Sequence, residues 1–171
     1  MSTLIDLRGL LADDPWQRQP EGEPIATRGA LLLPPAAWQD GTLQAARAAG
    51  RRDPDGLWLE PDADLTLPAP ILAQAALVAV HFPSATDGRG FSIAVTLRRR
   101  LGWRGPLRAV GPLWRDQLFA LRRVGFDQFT LRAEEDPQQA LAAFTTFSDA
   151  YQTSADGLVP RVFRRFSEEL A

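Results

Sequence analysis

Apolar residues along this chain arrive in short blocks separated by proline, glycine and charge, and the blocks change character along the way. Residues 1 to 24 are rich in Asp, Glu, Gln and Pro, carry Trp16 as their large aromatic residue and hold no sustained period. They predict an extended or partly ordered arm, with an edge strand at Thr3 to Asp6. From Gly29 the pattern becomes regular. Ala30 to Leu33 is an apolar run stopped by Pro34 and Pro35, and Ala36 to Ala49 is alanine-rich and ends at Gly50. That reads as strand, turn, helix and C-cap glycine. Leu57 to Leu59 is a second short strand, closed by Glu60, Pro61 and Asp62, and prolines 61, 68 and 70 leave room for a brief helix around Ile71 to Ala75.

The run from Ala75 to Phe82 is the most apolar in the chain and is continuous rather than alternating, as a central strand buried on both faces should be. From Val78 to Leu131 the chain reads as two consecutive strand-loop-helix units. Each helix closes on glycine and an aromatic residue: Gly102-Trp103 before the strand Leu107 to Val110, and Gly125-Phe126 before the strand Gln128 to Leu131. These glycines suit left-handed caps, and the aromatics are placed to cover the bottom edge of a sheet. A last helix is expected from Pro137 to Tyr151, with acidic residues 134 to 136 at its positive end. The tail from 153 to 171 reads as a loop and a short amphipathic turn. Strands alternating with helices argue for a parallel sheet with right-handed crossovers. Five strands, near residues 30, 58, 79, 108 and 130, predict a single α/β domain over residues 25 to 152. A flavodoxin-like open sheet with flanking helices is the leading architecture and an incomplete βα barrel the alternative.

Composition agrees with that picture and removes chemistry from it. A chain of 171 residues is long enough for one good core, and 45% hydrophobic with 23% charged residues is ordinary for a globular protein. There is no cysteine, which excludes disulfides, thiolate nucleophiles, cysteine-ligated iron-sulfur clusters and zinc-thiolate sites. The N-terminus lacks a basic region followed by an apolar core, and no stretch approaches the roughly 18 apolar residues of a membrane span. The expected location is the cytoplasm.

Charge is unevenly spread. The net charge is -2, all 19 basic residues are arginine, and residues 87 to 132 hold ten of them against Asp87, Asp116 and Asp127. This asymmetry suits either an acidic partner or dipole-matched cations at helix C-termini. The run Arg98 to Arg100 lacks the interleaved aromatics and strong positive charge of a nucleic-acid surface, so nucleic acid is not an expected partner.

In both architectures ligands bind where the loops gather at the carboxyl ends of the strands. The richest loop there is Ser84 to Gly90. Ser84, Thr86 and Asp87 suit capping of the next helix, Gly88 and Gly90 permit close backbone approach, and Arg89 supplies a forked cation. Capping and ligand binding both stay open, since Asp-Gly-Arg-Gly is neither a dinucleotide fingerprint nor a P-loop. The neighbouring loop offers Arg115 and Asp116 in the first turn of a helix opened by Pro112, with Trp114, Leu118 and Leu121 as its apolar stripe. His81, the lone histidine, stands near the end of the central strand where a general base would sit. No convergent carboxylate is visible beside it, so a core imidazole is the plainer reading. Glu60, Asp62, Asp64 and Asp87 are the acids a divalent cation would need, but their spacing does not demand one.

Several of these residues occur together in a known pattern. The stretch Phe82-Pro-x-x-Thr-Asp-Gly-Arg-Gly-Phe-Ser92, the run Leu107-Arg-Ala-Val-Gly111, the segment from Leu113 to Asp127 and Phe147-Ser-x-Ala-Tyr-Gln152 resemble the bacterial family catalogued as domain of unknown function 934. The resemblance covers roughly residues 55 to 152, and Pro112 and Trp114 depart from its usual pattern. It implies a role in assimilatory sulfite reduction and cysteine biosynthesis, with no catalytic residues to carry over. On that footing the expected protein is an accessory whose Arg-rich middle contacts sulfite reductase or its electron donor. Two alternatives stand beside it: a small-anion-binding enzyme or sensor at the 84 to 90 loop with Arg89 and Arg115, and a redox protein holding a noncovalent flavin. A homo-oligomer is compatible with all three.

Overall fold

A computed structural model of the chain describes residues 3–66 and 69–144. Its strands are β1 (Thr3–Asp6), β2 (Trp16–Arg18), β3 (Ala30–Leu33), β4 (Asp55–Leu59), β5 (Val78–His81), β6 (Leu107–Leu113) and β7 (Gln128–Leu131). The helices are α1 (Pro35–Gln39), α2 (Thr42–Ala48), α3 (Ala69–Gln74), α4 (Arg89–Val95), α5 (Leu118–Arg123) and α6 (Pro137–Ala143). A π turn, Thr96–Arg100, prolongs α4, and a 3-10 turn, Arg115–Gln117, leads into α5.

All seven strands join one sheet in the order β1-β7-β6-β5-β4-β3-β2, antiparallel at β1 and parallel elsewhere. The five expected strands are β3 to β7. The expected count of five is corrected to seven, because the N-terminal arm adds the strand expected at Thr3–Asp6 and also β2. Both are edge strands of four and three residues, too short and too polar on one side to leave a period in the sequence.

The strand order also corrects the leading architecture. A flavodoxin-like sheet reverses direction after its first crossover, whereas β2 to β7 stand side by side in chain order. Right-handed crossovers that always step the same way put every helix on one face, which is the winding of the incomplete βα barrel.

Chain length shows that the sheet curls. Leu11 N–H still bonds to Leu4 O at 2.9 Å, beside β1, yet Trp16 pairs with Ala30 beyond the opposite edge. A flat sheet would separate β1 from β2 by six strand spacings, about 29 Å. Five residues span at most about 18 Å. Only a curled sheet brings the two edges within that reach.

The curl gives the sheet two unequal faces. Leu31, Leu33, Leu57, Leu59, Val78, Val80, Leu107 and Phe129 point outward into the helix layer and form the main core, each buried Leu stabilising by about 1.5–3 kcal/mol. Leu32, Trp58, Leu77 and Ala79 form a smaller cluster on the inner face, with Trp16 and Val110 against it. Both faces are covered, which is why the strands read as continuous apolar blocks.

Three local details differ from expectation. The single helix expected from 36 to 49 is broken into α1 and α2 at Gly41, whose φ is 87°. The strand expected to end at Val110 continues to Leu113, with a shift of register against β7. Gly111 permits this with φ 140°, since a Cβ there would lie 2.0 Å from the carbonyl oxygen of Phe82. Helical structure accordingly begins at Arg115 rather than Pro112, and Trp114 stands half exposed instead of joining Leu118 and Leu121 in the core. Trp103 and Phe126 are buried at the bottom edge as expected. The helix expected to reach Tyr151 is described as far as Ala143, and its remainder, with the tail 153 to 171, lies outside the described residues.

Candidate functional site

The carboxyl ends of the strands open on the inner face as a mouth lined by polar residues. β4 and β5 are paired with Leu59 opposite Val80, so the next residues along, Glu60 and His81, meet. His81 Nδ1 lies 2.6 Å from Glu60 Oε2. Glu60 Oε1 accepts a second hydrogen bond from Arg18 at 2.8 Å and a third from the Trp58 indole N–H at 2.8 Å. The Arg18 guanidinium also stacks 4.6 Å from the centre of the Trp58 ring, and the His81 ring lies 5.4 Å from that indole. One carboxylate therefore holds an arginine, a histidine and a tryptophan from three strands.

Partial burial acts to raise the pKa of Glu60, but the hydrogen bonds from Trp58 and His81 and the charges of His81 and Arg18 outweigh it and leave the carboxyl below its usual range. An ionised carboxylate is acceptor-only, which assigns the proton of the short bond to His81 Nδ1. Among the described residues nothing bonds to Nε2, and it is not a buried unsatisfied atom, so it faces solvent in the mouth.

The Ser84 to Gly90 loop borders the same mouth but is largely occupied with itself. Asp87 takes the Arg89 side chain through Nε and Nη2, the latter at 2.6 Å, and the Arg89 backbone N–H at 3.1 Å. These bonds, the side-chain ones first, hold the Asp87 carboxyl below its usual value and raise the guanidinium above its own. The cap of α4 is Gly88, without a side-chain bond, while Ser84 and Thr86 bond each other at 3.2 Å. Gly90 is buried, and a Cβ there would lie 2.3 Å from the Phe82 ring, so its missing side chain serves packing. Around Gly88 there is open space.

The two loops singled out in the sequence are neighbours, since Gln117 donates its side-chain amide to Ala85 O. Their charged groups do not converge. Arg115 turns to Gln139 of α6, and Asp116 is exposed. The four acids considered for a cation are likewise dispersed: Asp64 is taken by Thr66, and among the described residues no three His, Cys, Asp or Glu are placed to hold a metal ion.

The sequence reading missed the carboxylate that meets His81, although Glu60 was already a candidate for another role. The available signal was positional, both residues standing one step past the ends of apolar blocks. Arg18 and Trp58 gave no comparable signal.

A model of the family described as bacterial protein of unknown function, DUF934, matches residues 56–162. The chain belongs to this family. No curated protein matches it. The DUF934 segment begins inside β4 and so takes in Trp58, Glu60, His81 and the Ser84 to Gly90 loop. Arg18 and strands β1 to β3 lie ahead of it.

A second polar feature of this DUF934 protein lies at the opposite end of the sheet. Of the ten arginines between 87 and 132, most are engaged internally. Arg89 pairs with Asp87, Arg98 with Asp127, Arg108 with Asp14 and Arg132 with Glu134, while Arg122 bonds Phe144 O and Arg123 lies over Phe119. With Arg115 on Gln139, three are left. Arg99, Arg100 and Arg104 are exposed and have no partner among the described residues. They stand together with half-exposed Leu101 where α4 ends and the chain returns to β6. No helix among the described residues is long and apolar enough to cross a membrane.

Proposed function

We propose that this protein is an accessory of assimilatory sulfite reduction that works by binding an acidic partner, sulfite reductase or its electron donor, through Arg99, Arg100 and Arg104. The pathway is what the resemblance suggests, the family itself being described as of unknown function. The mode of action is supported by one observation: of the ten arginines of residues 87 to 132, Arg99, Arg100 and Arg104 stand exposed near one turn with no partner among the described residues, while the other seven each have a partner within the chain. Such a patch steers and orients a partner of opposite charge.

Co-expression and affinity capture with sulfite reductase and its donor tests this. Capture is expected at low salt and should fade as the screening length shrinks toward ~3 Å at 1 M. The R99E/R100E/R104E variant should lose capture while each site changes stability by no more than about 0.5 kcal/mol. No capture of either partner at low salt, or equal capture by the variant, overturns the reading.

A further inference from the structure

The mouth is a separate feature at the other end of the sheet, and the partner-docking reading makes no use of it. We propose that it binds a small oxyanion between Arg18 and His81, with a proton taken up at His81 Nε2.

Three observations carry this. First, the guanidinium and the imidazole are positioned rather than free. Glu60 holds Arg18 by Oε1 and His81 by Oε2, so the guanidinium and the imidazole are fixed a single carboxylate apart. Second, each has hydrogen-bonding capacity to spare. Arg18 uses Nη2 on Glu60, and among the described residues its other N–H groups bond nothing; its side chain is 53% exposed. His81 directs Nδ1 inward, which leaves Nε2 for a ligand. Third, there is room beside Arg18. A cavity of about 150 Å³, lined by Arg18, Glu21, Pro34, Trp58, Glu60 and Ala63 and not by His81, opens on the Arg18 side of the group, well above the roughly 10–15 Å³ that admits one water.

The chemistry selects an oxyanion over a halide or an apolar ligand. A guanidinium fork matches paired oxygens, and an imidazolium supplies one further N–H. When the ligand arrives as its conjugate acid, the O–H bond breaks, the N–H bond forms at Nε2 and the electron pair stays on the ligand oxygen. When it arrives as the anion, the same proton comes from solvent. Glu60 compensates the resulting imidazolium through Nδ1. The other charges around His81 are Arg18, held on the same carboxylate, and, from the loop after β5, Asp87 and Arg89, which are tied to each other. The remaining ring contact is the Trp58 indole, which is uncharged.

Because His81 is the chain's one histidine, its imidazole proton resonances report on the site alone. The test is an NMR pH titration of the full chain in sodium phosphate and in sodium hydrogen sulfite, each against sodium chloride of equal ionic strength. The expected result is a His81 midpoint that moves to higher pH with either oxyanion and stays put in chloride. R18Q should weaken the effect at least tenfold, and R18K should restore part of it. The R99E/R100E/R104E variant should behave as wild type, which separates this site from the docking surface. A titration unaffected by tens of millimolar oxyanion, or an equal shift in R18Q, overturns the proposal.

Discussion

The two ends of the sheet use the same residue types to opposite effect. At the bottom, where strands begin, Arg51 and Arg98 are drawn into the fold and extensively bonded, beside the exposed Arg99, Arg100 and Arg104. Arg51, fully enclosed, bonds Asp55 at 2.7 Å and three backbone carbonyls, those of Ala26, Gly29 and Pro54. Arg98 bonds the carbonyls of Trp103, Gly105 and Gly125 as well as Asp127. These arginines tie loops to strand starts, and most of their donors are spent. At the mouth, Arg18 and His81 are held by one carboxylate and keep hydrogen-bonding groups directed to solvent. The comparison separates charge that builds the fold from charge that is held in place and left available.

Breaking a bottom pair should therefore cost the most. Arg51→Met removes one half of a buried ion pair and strips the Ala26 and Gly29 carbonyls of their side-chain donor, while Pro54 O keeps the Leu31 N–H. Arg47 remains on Asp55 at 2.9 Å and compensates in part. Removing one partner of a buried pair costs about 3–5 kcal/mol, measurable by denaturant unfolding. Arg18→Met, on the half-exposed mouth pair, should cost no more than about 1 kcal/mol. Similar losses for the two would erase the distinction between the ends.

A pair of glycines sharpens it within the mouth itself. Gly90→Ala places a Cβ against the Phe82 ring in the core, and overpacking of that kind costs about 1–3 kcal/mol. Gly88→Ala meets open space at φ -81°, so its effect should stay within about 0.5 kcal/mol. If thermal unfolding ranked them the other way, Gly90 would have to serve something other than packing.

How much of this was legible depended on what each feature leaves in the sequence. β3 to β7 were readable because burial on both faces makes blocks such as Ala30 to Leu33 and Val78 to Phe82 continuously apolar. Their order was not, since a crossover helix looks the same whether the chain steps onward or back. β2 was silent because Trp16 is its sole large apolar residue and backbone pairing to β3 does the rest. The mouth was half legible. Loop position identified Glu60, His81 and Asp87 as standing at strand ends, but which of them touch depends on strand adjacency and register. Glu60 and His81 are 21 residues apart, and Arg18 and Glu60 are 42 apart. Gly90 was legible as special but for the wrong neighbour, because a buried phenylalanine and a ligand ask the same of a glycine.

The smallest expected effect contrasts two carboxylates, one from each end, through the sign of their pH dependence. Glu60 at the mouth has its pKa lowered in the folded chain. Its contribution to stability is then complete above the ordinary glutamate value and is lost as pH falls through the lower folded one. Asp127 at the bottom is shifted the other way. Burial raises its carboxyl and outweighs the bonds from Leu107 N–H and Arg98, so the folded state holds that proton more tightly than the unfolded chain does. Stability referred to this residue rises as pH falls through the raised value. Between about pH 6 and pH 3, which brackets the carboxylate range, the stability difference between wild type and E60Q should shrink on acidification. The difference between wild type and D127N should grow. Both side chains are over a third exposed and screened by solvent, so direction rather than size is the test. Parallel slopes for the two variants would mean that the mouth carboxylate is held no differently from Asp127, and the case for a group kept charged to position Arg18 and His81 would fall with it.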